Sequence, residues 1–128
     1  MTKLNEIHKC DLCGNITEIL HSGGGALICC GQEMALQAEK SKEEGTEKHL
    51  PTITDLPKSG VKVNVGEVAH PMEDSHYIEW VEIQTVDSKV GKKFLNPGDS
   101  TEMEFHTEEK IKEVRAYCNV HGLWKITL

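Results

Sequence analysis

Four cysteines are crowded into the first thirty residues and limit how this segment can fold. They follow the pattern C-x2-C, fifteen residues, C-C, and they are Cys10, Cys13, Cys29 and Cys30. The segment up to about Ala38 has few apolar residues, and domains shorter than about 40 residues usually need a metal, disulfides or oligomerisation to fold. A glycine turn between two ligand pairs permits a closed tetrahedral site. We therefore expect one metal ion bound by all four thiolates.

The adjacent pair Cys29-Cys30 is an unusual feature of this site. Neighbouring side chains in an extended segment point to opposite sides, so both can bind one ion only if the chain kinks, and Gly31 permits a kink. A sulfur-only site suits zinc or iron, and the spacing alone slightly favours zinc. Two alternatives remain open: a thiol–disulfide motif, although no βαβ pattern follows it, and buried cysteines without a metal.

Composition narrows the functional class of the chain. The net charge of −7 over 128 residues does not favour binding to nucleic acid or to an anionic membrane. No apolar stretch approaches the length of about 20 residues that a membrane span requires, and the start, MTKLNEIHKC, has no signal-peptide core. The cysteine count is odd, and structural disulfides are rare in the cytoplasm. We therefore expect a cytoplasmic protein with reduced, metal-binding cysteines.

The remainder of the chain has the pattern of a β domain. A polar stretch over residues 39–58 contains two prolines and predicts a linker that becomes an ordered active-site loop. From Val61 onward, apolar and polar residues alternate in short runs separated by turns, which is typical of an antiparallel β-sandwich. In YIEWVEIQTV, alternation places Ile78 and Trp80, or their neighbours, on one face and Val81 and Ile83 on the other. We expect two domains, over residues 1–38 and 39–128, with a mainly β fold, and no segment has a clear helical pattern.

The histidines divide into two groups. His8, His21 and His106 lie in contexts that favour an exposed, non-ligating role, whereas four others lie in predicted loops or at strand ends, where binding residues concentrate. Those four are His49, His70, His76 and His121. Singly, each is more often a solvated side chain, but His121 follows Cys118 by three residues, so a tight turn can direct both at one point. If all five converge, they exceed the usual four ligands of zinc and leave one octahedral position open. Imidazole and thiolate suit iron, and the thiolate donates electron density to it.

Taken together, the motifs CDLCG, ICCGQEM, EKHLP, HPMEDSHYIEW and YCNVHGLW resemble those of the desulfoferrodoxins, the two-iron superoxide reductases, over nearly the whole chain. The resemblance implies a small rubredoxin- or desulforedoxin-like domain with an Fe(Cys)4 site and an immunoglobulin-like β-sandwich with an Fe(His)4Cys site. It assigns the first iron to the four N-terminal cysteines, the equatorial imidazoles of the second iron to the four histidines, and its axial thiolate to Cys118. It also places Glu47 and Lys48 at the open position.

The resemblance further implies an activity and partners. It implies one-electron reduction of superoxide to hydrogen peroxide, an external electron donor such as rubredoxin, and a homodimer. Lys48 would attract the superoxide anion, and Glu47 would bind the ferric iron after peroxide leaves. Three alternatives compete with this interpretation: an electron carrier of the rubredoxin type without substrate, a zinc-stabilised binding module, and a dismutase that evolves dioxygen.

Overall fold

The computed structural model describes residues 1–42, 49–66 and 69–128, and these residues form twelve β-strands and no helix. Within these ranges there is accordingly no helix that could cross a membrane. The chain divides into two compact units, Met1–Ala38 and Glu39–Leu128. The expected fold class, mainly β with a small desulforedoxin-like domain followed by an antiparallel β-sandwich, is confirmed.

The first unit consists of five very short strands and has a minimal core. Its three-stranded sheet has the order β2-β1-β5, and β3 and β4 form a separate hairpin. The bounds are β1 Ile7–Lys9, β2 Ile16–Glu18, β3 Ile28–Cys29, β4 Gln32–Glu33 and β5 Ala35–Leu36. Only Ile7, Cys10 and Ile19 are buried hydrophobic residues among those described in this unit, while Leu12, Leu20 and others remain exposed. So small a core requires additional stabilisation, which a bound metal supplies.

The second unit consists of two antiparallel sheets that share one core. The three-stranded sheet has the order β10-β7-β6 and the four-stranded sheet the order β12-β11-β8-β9. The bounds are β6 Pro51–Asp55, β7 Val61–Val65, β8 Ile78–Thr85, β9 Val90–Phe94, β10 Glu102–Phe105, β11 Ile111–Cys118 and β12 Gly122–Thr127. Alternation along β7 buries Val61, Val63 and Val65 against residues of β8 and β11 in a single hydrophobic cluster.

Strand β6 corrects the expectation that residues 39–58 form only a linker and loop. Pro51–Asp55 pairs along its whole length with β7, from Pro51 opposite Val65 to Asp55 opposite Val61. The strand lies at the edge of its sheet, and Pro51 is its first residue, which is a position where proline is tolerated because no ladder bond is lost there. The β-branched run Thr52-Ile53-Thr54 favours the extended conformation.

A bulge in β8 corrects the predicted distribution of its side chains. Trp80 lies opposite Tyr117, but the next partner of β11, Cys118, lies opposite Ile78, so that Glu79 is skipped. The extra residue moves Ile78 onto the same face as Val81 and into the core cluster, whereas strict alternation predicted the opposite. The bulge lies beside Cys118, where it brings the end of β11 against the start of β8.

Candidate metal centres

The sulfur atoms of Cys10, Cys13, Cys29 and Cys30 converge in the first unit, within 4.8 Å of one another. The Cys13 and Cys29 sulfurs are 3.5 Å apart, and the Cys29 and Cys30 sulfurs 4.0 Å apart. A tetrahedral ion with metal–sulfur bonds of about 2.3 Å requires sulfur–sulfur distances of about 3.8 Å. The observed distances bracket this value, so the four thiolates fit one tetrahedral ion.

The kink that the adjacent cysteines require is present and begins at Cys30 itself. Cys30 has φ 53°, in the left-handed region, and Gly31 follows with φ 78°. The left-handed conformation costs a residue other than glycine about 1–2 kcal/mol. The left-handed conformation at Cys30 brings its sulfur to the same side as that of Cys29. Gly31 continues the turn, and it has no side chain to clash in this conformation.

Backbone and thiol contacts shift the pKa values of Cys10 and Cys30 in opposite directions. The Cys13 amide donates a hydrogen bond to the Cys10 sulfur at 3.5 Å, and backbone hydrogen bonding of this kind lowers the pKa of Cys10 to about 6. Side-chain hydrogen bonds with Cys13, Cys10 and Cys29 stabilise the neutral thiol of Cys30 and raise its pKa to about 12. Without a cation, the group gives up its first proton easily and its last with difficulty. A bound metal cation therefore favours the fully ionised state.

The second group forms at one end of the sandwich in the second unit, where five strands begin or end. His49 precedes β6, His70 follows β7, and His76 precedes β8. Cys118 is the last residue of β11, and His121 directly precedes β12. Because the strands are antiparallel, these termini meet at the same end of the two sheets.

The four imidazoles form a closed ring of neighbours. Centroid distances are 4.7 Å from His49 to His70, 4.7 Å from His70 to His76, 5.1 Å from His76 to His121 and 4.8 Å from His121 to His49. His49 Nε2 lies 3.1 Å from His121 Nδ1. Two adjacent ligands at right angles, with metal–nitrogen bonds of about 2.1 Å, would lie about 3.0 Å apart. The arrangement therefore fits imidazoles around one ion.

Cys118 completes this group from the side of the core. Its ligand atom lies within 4.8 Å of those of His49, His70 and His76, and its sulfur is 3.9 Å from His121 Nδ1. Cys118 belongs to the hydrophobic core cluster and is fully buried, whereas His76 and His121 are only half-buried. The Cys118 sulfur therefore lies between the four histidines and the hydrophobic core, and the partly exposed histidines lie toward solvent.

Two hydrogen bonds orient ligand atoms of the second group. The His121 amide donates to the Cys118 sulfur at 3.4 Å, which lowers the electron density on that sulfur. His70 Nδ1 lies 2.7 Å from the Pro71 carbonyl oxygen, so Nδ1 carries the proton and donates it. This contact leaves Nε2 as the atom of His70 that can bind a metal.

Sequence reasoning did not identify Asn119 as a residue that positions the second group. Its side-chain oxygen accepts a hydrogen bond from the Tyr77 amide at 2.9 Å, and its Nδ2 donates to the Ser75 carbonyl at 3.2 Å. These partners flank His76 on both sides. Asn119 therefore fastens the turn between Cys118 and His121 to the loop that carries His76. The residue lies inside the motif CNVH, but its partners are 42 and 44 residues away.

The predictions for Glu47, Lys48 and the three histidines expected to be non-ligating differ in how far the structure tests them. Glu47 and Lys48 lie outside the described residues, so their placement at an open position stays a prediction. His21 and His106 are exposed, as expected. For His8 the expected exposure was wrong, because its side chain is only 12% exposed and its Nε2 lies 3.4 Å from a carboxylate oxygen of Glu6; its non-ligating role stays a prediction.

Two family models cover nearly the entire chain. The model described as Desulfoferrodoxin matches residues 41–127, and that described as Desulfoferrodoxin, N-terminal domain, matches residues 2–37. The chain belongs to the desulfoferrodoxin family. A desulfoferrodoxin homolog of Archaeoglobus fulgidus is 49% identical over 125 residues, covering 98% of each chain. The desulfoferrodoxin of Nitratidesulfovibrio vulgaris is 51% identical over 120 residues, covering 94% of each.

A solved structure has the same fold over most of the chain. The superoxide reductase from Treponema pallidum superposes with a TM-score of 0.79 at 26% sequence identity, covering 95% of this chain and 97% of the other. Family membership and the two ligand groups identify the cofactors of this protein as two iron ions, one in an Fe(Cys)4 site and one in an Fe(His)4Cys site. The slight preference for zinc, drawn from cysteine spacing alone, was therefore wrong.

Proposed function

We propose that this protein is a superoxide reductase whose reaction takes place at the second centre. The observation that carries the proposal is the closed ring of four imidazoles with a buried thiolate on its inner side. Five ligands would leave one position of an octahedral ion for a small substrate, and the half-buried side chains of His76 and His121 would give a substrate access from solvent. The proposed ligands are His49, His70, His76, His121 and Cys118. The proposed ligands of the first iron are Cys10, Cys13, Cys29 and Cys30.

In the proposed reaction, superoxide, one electron and two protons give hydrogen peroxide, and no dioxygen is released. Iron held by these four histidines and Cys118 would supply the electron. The Cys118 thiolate increases electron density at the centre, and the His121 amide tunes that donation through its hydrogen bond to the sulfur. Burial of Cys118 keeps bulk water away from its sulfur.

Two charged residues that precede His49 would act on the substrate. The net charge of −7 repels an anion, so a local cation is needed to bring superoxide to the site. We assign this role to Lys48, which would also orient a water molecule for proton delivery. Glu47 would bind the oxidised centre once the product has left. Both roles follow from the family resemblance and from the position of the pair next to a proposed ligand.

The supply of electrons and the assembly of the protein belong to the same proposal. A rubredoxin-type protein would reduce the second centre, and the protein would work as a cytoplasmic homodimer in superoxide detoxification. The likeness to relatives named superoxide reductase supports the activity.

One observation favours a second function, that of an electron carrier. Cys13 and Cys30 of the first centre are exposed, so this iron site reaches the protein surface, where it can exchange electrons with another protein. A carrier of this kind would need no substrate at the second centre.

The decisive experiment measures the metal content and the reaction stoichiometry of the purified protein. We expect two irons per chain, and we expect the fully reduced protein to consume superoxide and form peroxide without evolving dioxygen. Failure of the reduced protein to consume superoxide would leave the electron carrier as the function. Release of dioxygen would instead indicate a dismutase, and one zinc with no iron would indicate a binding module.

A further inference from the structure

Lys40 lies just before the range matched by the Desulfoferrodoxin family model, at the start of the second unit. The two family models cover residues 2–37 and 41–127, so neither includes it. Its backbone is nevertheless fixed to the sheet: the Lys40 amide donates to the Leu123 carbonyl at 2.9 Å, and the Lys125 amide donates to the Lys40 carbonyl at 2.9 Å. These bonds form a bridge opposite Trp124. Lys40 therefore pairs with the outer edge of β12 as a single-residue addition to the sheet.

The neighbouring residue, Glu39, anchors this attachment further. Its carboxylate accepts from Arg115 Nη1 at 3.4 Å and from Lys125 Nζ at 3.2 Å. Arg115 is itself 2% exposed, and its Nε donates to the buried carboxylate of Glu82 at 2.7 Å. Since the arginine is held firmly by a buried ion pair, Glu39 and the backbone that follows it have a rigid support.

The ammonium group of Lys40 contacts the backbone of one proposed iron ligand, His121, and the ring of Trp124, which packs on another, His49. Its Nζ donates to the carbonyl oxygen of His121 at 2.8 Å. The same Nζ lies 5.3 Å from the centre of the Trp124 ring, within the range of a cation–π contact. Trp124 in turn stacks on the imidazole of His49, with ring centroids 4.5 Å apart and planes at 8°.

We propose that Lys40 is a positioning residue of the second centre, holding His121 through its carbonyl and His49 through Trp124. The inference rests on the proposed assignment of these histidines as iron ligands, but not on superoxide turnover. Groups that orient metal ligands from behind raise metal affinity, and their loss typically weakens it by about 10- to 100-fold. A cation at this position also favours the ferrous over the ferric state, because the ferrous centre carries less positive charge.

The test compares Lys40→Met with Lys42→Met, which removes the same charge from an exposed residue two positions away. Both are measured in the full two-iron protein, without superoxide, by the rate of iron loss to a chelator and by the midpoint potential of each iron. For Lys40→Met we expect about tenfold faster loss of the second iron, a lower potential of that iron only, and an unchanged first iron. Lys42→Met should match the parent protein in both measurements. Lys40→Arg keeps a cationic donor, so its rate of iron loss and its potential should be close to those of the parent.

The two contributions of Lys40 can be separated by salt. Added salt should shrink the difference in potential, because Lys40 is exposed and its charge is screened. It should leave the difference in iron loss largely unchanged, because that difference depends on contacts.

Equal iron loss from Lys40→Met and the parent would overturn the positioning role, as would equal effects of the Lys40 and Lys42 variants. If the second unit of Lys40→Met misfolds, near-parent behaviour of Lys40→Arg supports the inference, and rapid loss of the second iron from a folded Lys40→Arg refutes it. A parent protein that binds iron only at the cysteines would refute the ligand assignment and this inference together. Retention of both irons by the parent, with no effect of Lys40→Met, would refute this inference alone.

Discussion

His49 and His121 are separated by 72 positions in the chain, yet His49 Nε2 lies 3.1 Å from His121 Nδ1. One histidine precedes β6 at the edge of the three-stranded sheet, and the other precedes β12 at the edge of the four-stranded sheet. The distance therefore depends on how the two sheets pack at this end of the sandwich. Residues that hold the connecting turns therefore help to set the positions of the proposed ligands.

Asn119→Ala removes two side-chain hydrogen bonds that fasten the turn after β11 to the loop carrying His76. We expect a loss of about 1–3 kcal/mol in the free energy of unfolding, together with weaker binding of the second iron. Thermal unfolding and iron content measure the two effects. The matched control is Asn96→Ala, at an exposed asparagine in the turn after β9. Equal stability of the two variants would contradict the role given to Asn119.

Gly31→Ala tests the kink at the first centre. Gly31 has φ 78°, and a Cβ added there meets no atom within 4 Å, so the substitution acts through backbone strain alone. We expect a cost of about 1–2 kcal/mol, seen as roughly tenfold weaker retention of the first iron against a chelator. Gly24→Ala is the control, because Gly24 also has open space but no positive φ. Retention of the second iron should not change in either variant.

Cys118→Ser and Cys13→Ser should have reciprocal effects on the two irons. Replacing Cys118 removes the thiolate of the second centre, so reductase activity should be lost while the first iron and its spectrum remain. Replacing Cys13 should release the first iron, and activity with a chemical reductant should persist, because the second centre uses residues of the other unit. Loss of both irons from either variant would contradict two independent sites.

Lys48→Ala tests electrostatic attraction of the substrate. We expect superoxide to react about tenfold more slowly at low ionic strength, with a weaker dependence of the rate on salt. Pulse radiolysis at several ionic strengths measures both quantities. The control is Lys58→Ala, an exposed lysine in the turn that follows the far end of β6. An unchanged rate constant for Lys48→Ala at low salt would remove the proposed steering role.

The sequence predicted ligand residues that lie close together in short motifs, but it did not predict features that depend on contacts between distant segments. The cysteine pairs and the CNVH turn carry recognisable ligand spacings, and the structure brings these residues together. The strand beginning at Pro51 was missed because two prolines dominate the pattern around it. The bulge at Glu79 was missed because it shows only in the register between β8 and β11.

The contacts of Asn119 and Lys40 could not have been predicted for a related reason. Lys40 reaches a carbonyl 81 residues away, and Asn119 reaches one 44 residues away. Neither contact leaves a periodic or spacing signal in the sequence. The choice of iron over zinc likewise required the family relationship, because sulfur donors at this spacing suit both metals.

The stacking of Trp124 on His49 gives the second centre its own optical reporter. The chain contains two tryptophans, and the other, Trp80, stacks instead on Tyr117. Emission from Trp124 should therefore respond when His49 gains or loses an iron ion, and Trp80→Phe would leave that emission as the sole indole signal. Fluorescence could then follow loading of the second iron in real time, separately from the visible colour of the four-cysteine centre.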